Sequence, residues 1–212
     1  MSAPESYRGQ SLTIHFDGGK CIHARNCVVG APRVFRANVE GPWIDPDAIA
    51  VEELAAIARA CPSGAITYER HDGGAEERPP EVNTIRVREN GPLALHADVT
   101  IEGHGPCRRA TLCRCGASQH KPFCDGSHTA AGFVASGEPP AGDSAALAAR
   151  DGALAVTAIA NGPLRVVGNF ELLGGTGRLV ARGEKCALCR CGGSQNKPYC
   201  DGSHRTNGFS AP

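Results

Sequence analysis

The sequence predicts an α+β protein in which one small α+β domain is followed by two β-rich modules packed as an intramolecular pseudo-twofold pair. Three observations predict it. Residues 11–16 and 65–68 read as short strands on either side of one helical pattern at 47–60, which makes a small mixed unit. Residues 85–93 (Ile-Arg-Val-Arg-Glu-Asn-Gly-Pro-Leu) are echoed at 156–164 by Val-Thr-Ala-Ile-Ala-Asn-Gly-Pro-Leu, and 113–133 by 189–209, at offsets of about 71 and about 76 positions. Each repeat holds a few strands and one loop, too little to bury both faces of its own sheet, so two copies packed together would cover one another.

Composition bounds the rest. At 212 residues, with 27 Gly and 15 Pro spread along it, the chain suits several small domains better than one large core. Only 6 Phe, 3 Tyr and 1 Trp are available to fill them, so a staple of disulfides or metal is expected. The 11 cysteines could supply either. Their number is odd, and the first eight residues lack the basic and apolar succession of an export signal, so reduced thiols in a cytoplasmic compartment are expected. Lys plus Arg balances Asp plus Glu at 22 each, which argues against a nucleic-acid or anionic-membrane partner. No 18-residue apolar run exists to span a bilayer.

In chain order, Leu12, Ile14 and Phe16 alternate into the Gly18-Gly19 turn. In the 47–60 helix Ile49, Leu54, Ile57 and Ala58 share a face, Asp45 or Asp47 suits the N-cap, and Glu52 and Glu53 suit the first turns. Around it stand Cys21, Cys27 and Cys61-Pro62. Residues 71–80 are charged and turn-rich and read as a linker. In the repeats, Leu93, Leu95, Ala97, Val99 and Ile101, and then Leu164, Val166, Gly168, Phe170 and Leu172, alternate as strands after an Asn-Gly-Pro turn. The second copy has about five more residues in the 173–183 loop. Residues 136–143 read as a flexible connection and 144–150 as a helical turn. The domains expected are 1–72, a linker at 73–82, a module at 83–136, a linker at 137–150 and a module at 151–212.

Each repeat ends on one ligand loop, Cys113-x-Cys115-x8-Cys124-x3-His128 and Cys189-x-Cys191-x8-Cys200-x3-His204. Cys-x-Cys presents two thiolates from one turn, and Gly116 or Gly192 with Pro122 or Pro198 brings the chain back to the third. If Asp-Gly-Ser opens a helix, the spacing of four puts thiolate and imidazole on one face, with Asp125 and Asp201 as N-caps and Ser127 and Ser203 free to donate to sulfur. The two copies also control each other. His120 is matched by Asn196 and is not expected to ligate; Cys107 and Cys186 have no counterpart and are expected to pack, although Cys186-x2-Cys189 has the form of a redox or zinc CxxC. Phe133 and Phe209 are expected in the core. Three thiolates and an imidazole also make a structural zinc site, but zinc fingers usually offer two separated ligand pairs.

Both loops resemble, residue for residue, the C-x-C-x2-[ST]-x3-P-x-C-D-G-[STA]-H signature of the CDGSH (mitoNEET-like) iron–sulfur family. That resemblance implies a 2Fe-2S cluster on Cys113, Cys115, Cys124 and His128 and another on Cys189, Cys191, Cys200 and His204. It also implies modules that pair, here within one chain, so that a monomer is expected. The N-terminal segment resembles a divergent single-cluster ferredoxin-like domain. Against the bacterial ferredoxin run, Cys21 and Cys27 fall on the first and third cysteines, Ala24 replaces the second, Ala31-Pro32 replaces the Cys-Pro of a second cluster, and Cys61-Pro62 fits the returning ligand. Three thiolates suit a 3Fe-4S cluster; a 4Fe-4S cluster needs a fourth ligand from His23, water or a partner.

The expected function is electron transfer through these clusters, to a redox partner protein, with no catalytic residues and no enzyme activity, since no dinucleotide loop, P-loop or nucleophile–base pair is present. The alternative is storage or donation of labile 2Fe-2S units to an apo-cluster acceptor, or redox and pH sensing. One imidazole ligand in place of a thiolate raises the potential and can be protonated near neutral pH, which links both properties to pH.

Overall fold

The computed structural model describes residues 4–212, so the first three residues of the stretch read above for an export signal lie outside the described residues. The chain divides into two compact units, Met1–Arg78 and Pro79–Pro212.

In the first unit β1 (Glu5–Arg8), β2 (Leu12–Phe16) and β3 (Ile66–Arg70) form an antiparallel sheet in the order β1-β2-β3. Helices α1 (Asn26–Gly30) and α2 (Val51–Arg59) lie between β2 and β3 in sequence. The buried face of α2, Leu54, Ala55 and Ala58, joins Leu12, Ile14, Val34, Phe35 and Ile66 in one core. At its edge Trp43 is met by Phe16, Phe35 and Tyr7, with ring centroids 4.9, 6.1 and 6.4 Å away. The helix starts later than the 47–60 pattern suggests, after Ala50 and without a side-chain cap. Its expected caps are spent on turns: Asp45 accepts the Asp47 N–H at 3.3 Å, and Asp47 accepts the Gln10 N–H at 2.9 Å. β1 was not expected, because an edge strand with only Tyr7 partly buried has no alternation to read.

The second unit contains β4 (Thr84–Val87), β5 (Leu93–Ile101) and β6 (Gly105–Leu112), then β7 (Ala153–Ala158), β8 (Leu164–Leu173) and β9 (Leu179–Leu188). Within each module the three strands pair antiparallel in sequence order. Between modules they pair parallel, β4 with β8 (Ile85 opposite Leu172) and β7 with β5 (Leu154 opposite Val99). The exchange is reciprocal: the first strand of each module lies along the second strand of the other. One apolar core drawn from both modules results, with Ile85, Leu95, Val99, Leu154, Val166, Phe170 and Leu172 all buried. Irregularities at His96/Val99 and Val167/Phe170 reset the register so that residues after each bulge still face inward.

Polar groups at this junction are paired. Fully buried Asn83 donates from Nδ2 to the carbonyls of Gly152 (2.8 Å) and Asn169 (3.0 Å), and its Oδ1 accepts the Asp98 N–H at 3.2 Å. Residues 144–150 form no helical turn, contrary to expectation, and residues 136–150 bond to other parts of the unit. They run as a strap fastened at Gly137 to the Glu89 carboxylate, at Glu138 to the Thr176 N–H (2.6 Å), at Gly142 to the Val180 carbonyl (2.9 Å) and at Ser144 to the Arg182 N–H (2.9 Å).

Two substitutions test this packing. Gly168 has φ +122°, and a Cβ there would stand 2.3 Å from the Ala153 carbonyl oxygen, so Gly168→Ala is expected to cost about 1–3 kcal/mol, read as a lower urea midpoint. Glu171, nearly buried, accepts from Arg150 and Arg182 at 3.0–3.1 Å, and the Arg150 pairing holds its carboxyl below the ordinary value. Glu171→Gln should therefore lose about 1–2 kcal/mol at pH 7, the guanidiniums being partly solvated. A depressed carboxyl contributes its stability above the unfolded value of about 4.3 and loses it as pH falls through the folded value, so the gap between variant and parent should close in acid.

Candidate metal centres

Each loop hangs from the end of a strand. β6 stops at Leu112, the Cys113 N–H donates to the Pro122 carbonyl at 2.8 Å and the Cys124 N–H to the Thr111 carbonyl at 2.9 Å. The second copy repeats this, Cys189 to Pro198 at 2.8 Å and Cys200 to Ala187 at 2.9 Å. Inside each loop a buried serine closes the turn: Ser118 donates to the Phe123 carbonyl at 2.6 Å, and Ser194 to that of Tyr199 at 2.7 Å. Lys121-Pro122 and Lys197-Pro198 are cis.

The donor atoms come together in pairs. Cys113 and Cys115 sulfurs are 3.8 Å apart, and Cys124 Sγ is 3.4 Å from His128 Nδ1. In the second loop Cys189 and Cys191 are 3.7 Å apart, and Cys200 Sγ is 3.4 Å from His204 Nδ1. A tetrahedral metal with thiolate bonds of about 2.3 Å sets two sulfurs about 3.8 Å apart, and a sulfur and an imidazole nitrogen about 3.5 Å apart. Each pair thus spans one edge of a metal's coordination tetrahedron. Among the described residues no group of three His, Cys, Asp or Glu side chains converges on a point suited to a single ion. Each loop thus offers two such edges, Cys113/Cys115 with Cys124/His128 and Cys189/Cys191 with Cys200/His204.

The hydrogen bond between the Cys113 and Cys115 thiols lowers Cys113 and raises Cys115. Burial raises Cys124 to about 11 and raises Cys189. Backbone N–H groups of Ala117, Gly126 and Gly193 point at Cys115, Cys124 and Cys191 from 3.4 Å, which favours thiolate.

The Asp-Gly-Ser segments differ from expectation in detail. Gly126 and Gly202, at φ +87° and +91°, are the cap residues of helix α3 (Ser127–Ala130) and of the single turn Ser203–Arg205. Asp125 and Asp201 stand one residue earlier, each taking the N–H two residues on at 3.0 Å and, from the other side, that of Gln119 or Gln195 at 2.7–2.8 Å. The Ser203 hydroxyl donates to Asp201 at 2.6 Å, not to a sulfur. The cysteine lies before the helical turn, and the left-handed glycine, not a shared helix face, brings thiolate to imidazole.

In the first unit Cys21, Cys27 and Cys61 line one cavity of about 310 Å³, with His23, Pro62 and Ser63 also on its wall. Burial raises both Cys21 and Cys27, and the nearby Cys61 adds to it. His23 and Arg25 take left-handed φ of 53° and 66°, curling the 21–27 loop, and Asn26 Nδ2 ties that loop to the Ala60 carbonyl at 3.0 Å. Ala31, where a second cluster's cysteine would stand, is 2% exposed in the core.

Cys107 faces Val99, and Cys186 faces Val166 and is pushed up to about 12 by burial; both pack against the core. Phe133 and Phe209 correct the core expectation. Both are part-exposed, and they lie over Arg114 and Arg190 at 5.3 and 5.4 Å. These two arginines were passed over in the sequence, although Cys-Arg-Cys occurs in both copies and the repeat itself was the signal.

Two family models match the chain. One, described as a divergent 4Fe-4S mono-cluster, covers residues 7–71; the other, an iron-binding zinc finger of CDGSH type, covers 83–129 and 161–205. The uncharacterized protein YjdI of Escherichia coli K12 is 37% identical over 65 residues, 31% of this chain and 83% of that protein. CDGSH iron-sulfur domain-containing protein 1 of Mus musculus is 31% identical over 83 residues, 38% of this chain and 74% of that protein. No solved structure matches. Replacing any of Cys21, Cys27, Cys61, Cys113, Cys124, Cys189 or Cys200 by Ser should lower iron and acid-labile sulfide per chain, whereas Cys107→Ser and Cys186→Ser should leave both unchanged.

Proposed function

The chain belongs to the CDGSH iron–sulfur domain family, with a divergent mono-cluster domain ahead of its two modules, and we propose that it carries electrons between partner proteins through three clusters. The observation that carries this reading is the pairing of donors in each loop into two tetrahedral edges. Cys113, Cys115, Cys124 and His128 would hold one 2Fe-2S cluster, and Cys189, Cys191, Cys200 and His204 the other. Cys21, Cys27 and Cys61 would hold a 3Fe-4S cluster, or a 4Fe-4S cluster completed by His23, which shares their cavity. Such clusters supply one-electron chemistry at potentials set by ligand charge and hydrogen bonding. The protein's part is to exclude water from Cys113, Cys124 and Cys189, each 1–2% exposed, and to aim N–H groups at the sulfurs.

The reciprocal pairing of β4 with β8 and β7 with β5 supports an internal pseudo-twofold and a monomer. We read the chain as a cytoplasmic carrier with no substrate of its own. One observation favours a second reading, donation of 2Fe-2S units with pH as the trigger. His128 and His204 are part-exposed, as are Cys115 and Cys191, while Cys113 and Cys189 are buried, so the imidazoles are within reach of solvent protons. A protonated imidazole no longer ligates, which would open the cluster from that side.

Iron and sulfide counts with electron paramagnetic resonance should give two 2Fe-2S centres and one cuboidal centre per chain; stoichiometric zinc without sulfide would sink the reading. His128→Cys with His204→Cys should slow cluster loss at pH 5–6 by tenfold or more. Mixing the holo-protein with an apo-ferredoxin separates the two functions, since a carrier passes electrons and keeps its iron.

A further inference from the structure

Resting on the reading that both loops hold clusters, we propose that Arg114 and Arg190 set reduction potential across the module boundary, each guanidinium being the counter-charge for the metal centre of the other loop. The two are the largest fully buried side chains among the described residues, each 1% exposed. A guanidinium keeps its charge inside a protein, and burying it is costly unless an anion is near.

Their direct partners are neutral. Arg114 donates to the carbonyls of Gly91 (2.9 Å), Ser136 (3.1 Å), Ala135 (3.2 Å) and Arg88 (2.5 Å). Arg190 donates to those of Gly162 (2.8 Å), Ile159 (2.6 Å) and Pro212 (2.7 Å), and its Nη1 is buried with no hydrogen-bond partner among the described residues. Each thus latches its module's Asn-Gly-Pro turn to the segment after the ligand loop, with an aromatic ring over the cation. These contacts solvate the charge without neutralising it.

The anion comes from across the junction. Cys115 and Cys191 are antiparallel bridge partners, so the two Cys-Arg-Cys segments run back to back. Closeness requires glycine at the next position in both: a Cβ at Gly116 would meet the Cys191 oxygen at 2.7 Å, and one at Gly192 the Cys115 oxygen at 2.5 Å. In this arrangement the first loop packs on the backbone of Cys191, the residue after Arg190, and the second on that of Cys115, the residue after Arg114, while Phe209, the ring over Arg190, also receives Lys121 of the first loop at 5.9 Å. A fixed cation beside a cluster favours the form with one more electron, because net charge is a principal determinant of cluster potential.

The test uses the full chain in two backgrounds, Cys200→Ser/His204→Ala, which leaves the first loop's cluster, and Cys124→Ser/His128→Ala, which leaves the second's. Arg190→Met should lower the first-loop potential so that the reduced-to-oxidised ratio at fixed ambient potential falls tenfold or more, equal to 59 mV for one electron, and should move the second-loop potential less. Arg190→Lys, which keeps the charge and loses the carbonyl latch, should hold the first-loop potential within that tenfold. Equal shifts in both backgrounds, no shift, or a loaded Arg190→Lys variant that falls as far as Met overturns the proposal. If Arg190→Met does not load cluster, the Lys variant decides alone. Absence of sulfide from the unsubstituted protein would instead remove the cluster reading on which the proposal stands.

Discussion

Neither module of the second unit can cover its own sheet, and the rest of that unit follows from how the deficit is met. Three short strands leave one apolar face bare, and the exchange of β4 against β8 and β7 against β5 removes both faces from water together. The same crossing brings Cys115 beside Cys191 and forces glycine at 116 and 192. Burial of apolar area and placement of the ligand loops are therefore one event, and the strap at 136–150 and Asn83 consolidate it.

The ligand loops are held by many short-range bonds of modest individual worth. A serine closes each turn, an aspartate gathers N–H groups on both sides, and a left-handed glycine turns the imidazole toward its thiolate. Together they set the donors in pairs at coordination distance.

Much of this was legible in the sequence because the repeat gave each motif its own control. Matching His128 to His204 and mismatching His120 with Asn196 marked the first pair as candidate ligands, and each of that pair stands beside a cysteine sulfur. Alternation in β5 and β8 was visible because one face is buried throughout. What could not be read was non-local. Parallel pairing between modules leaves no mark on either strand alone, and β1 has no alternation because it is an edge. Residues 144–150 have helix-forming composition yet form no helix, and the segment is tied at its two ends, where Ser144 Oγ accepts from Arg182 and the Arg150 carbonyl from Asn83. Arg114 and Arg190 were hidden by residue type, since arginine reads as surface until carbonyls enclose it.

The glycines at 116 and 192 carry a consequence for how such a chain diverges after duplication. Each occupies space that the opposite copy's backbone has already taken, so a larger residue in one copy is a fault felt by both. Loops and connections can drift apart, as the longer 173–183 segment does, but the seam must be inherited as a matched pair.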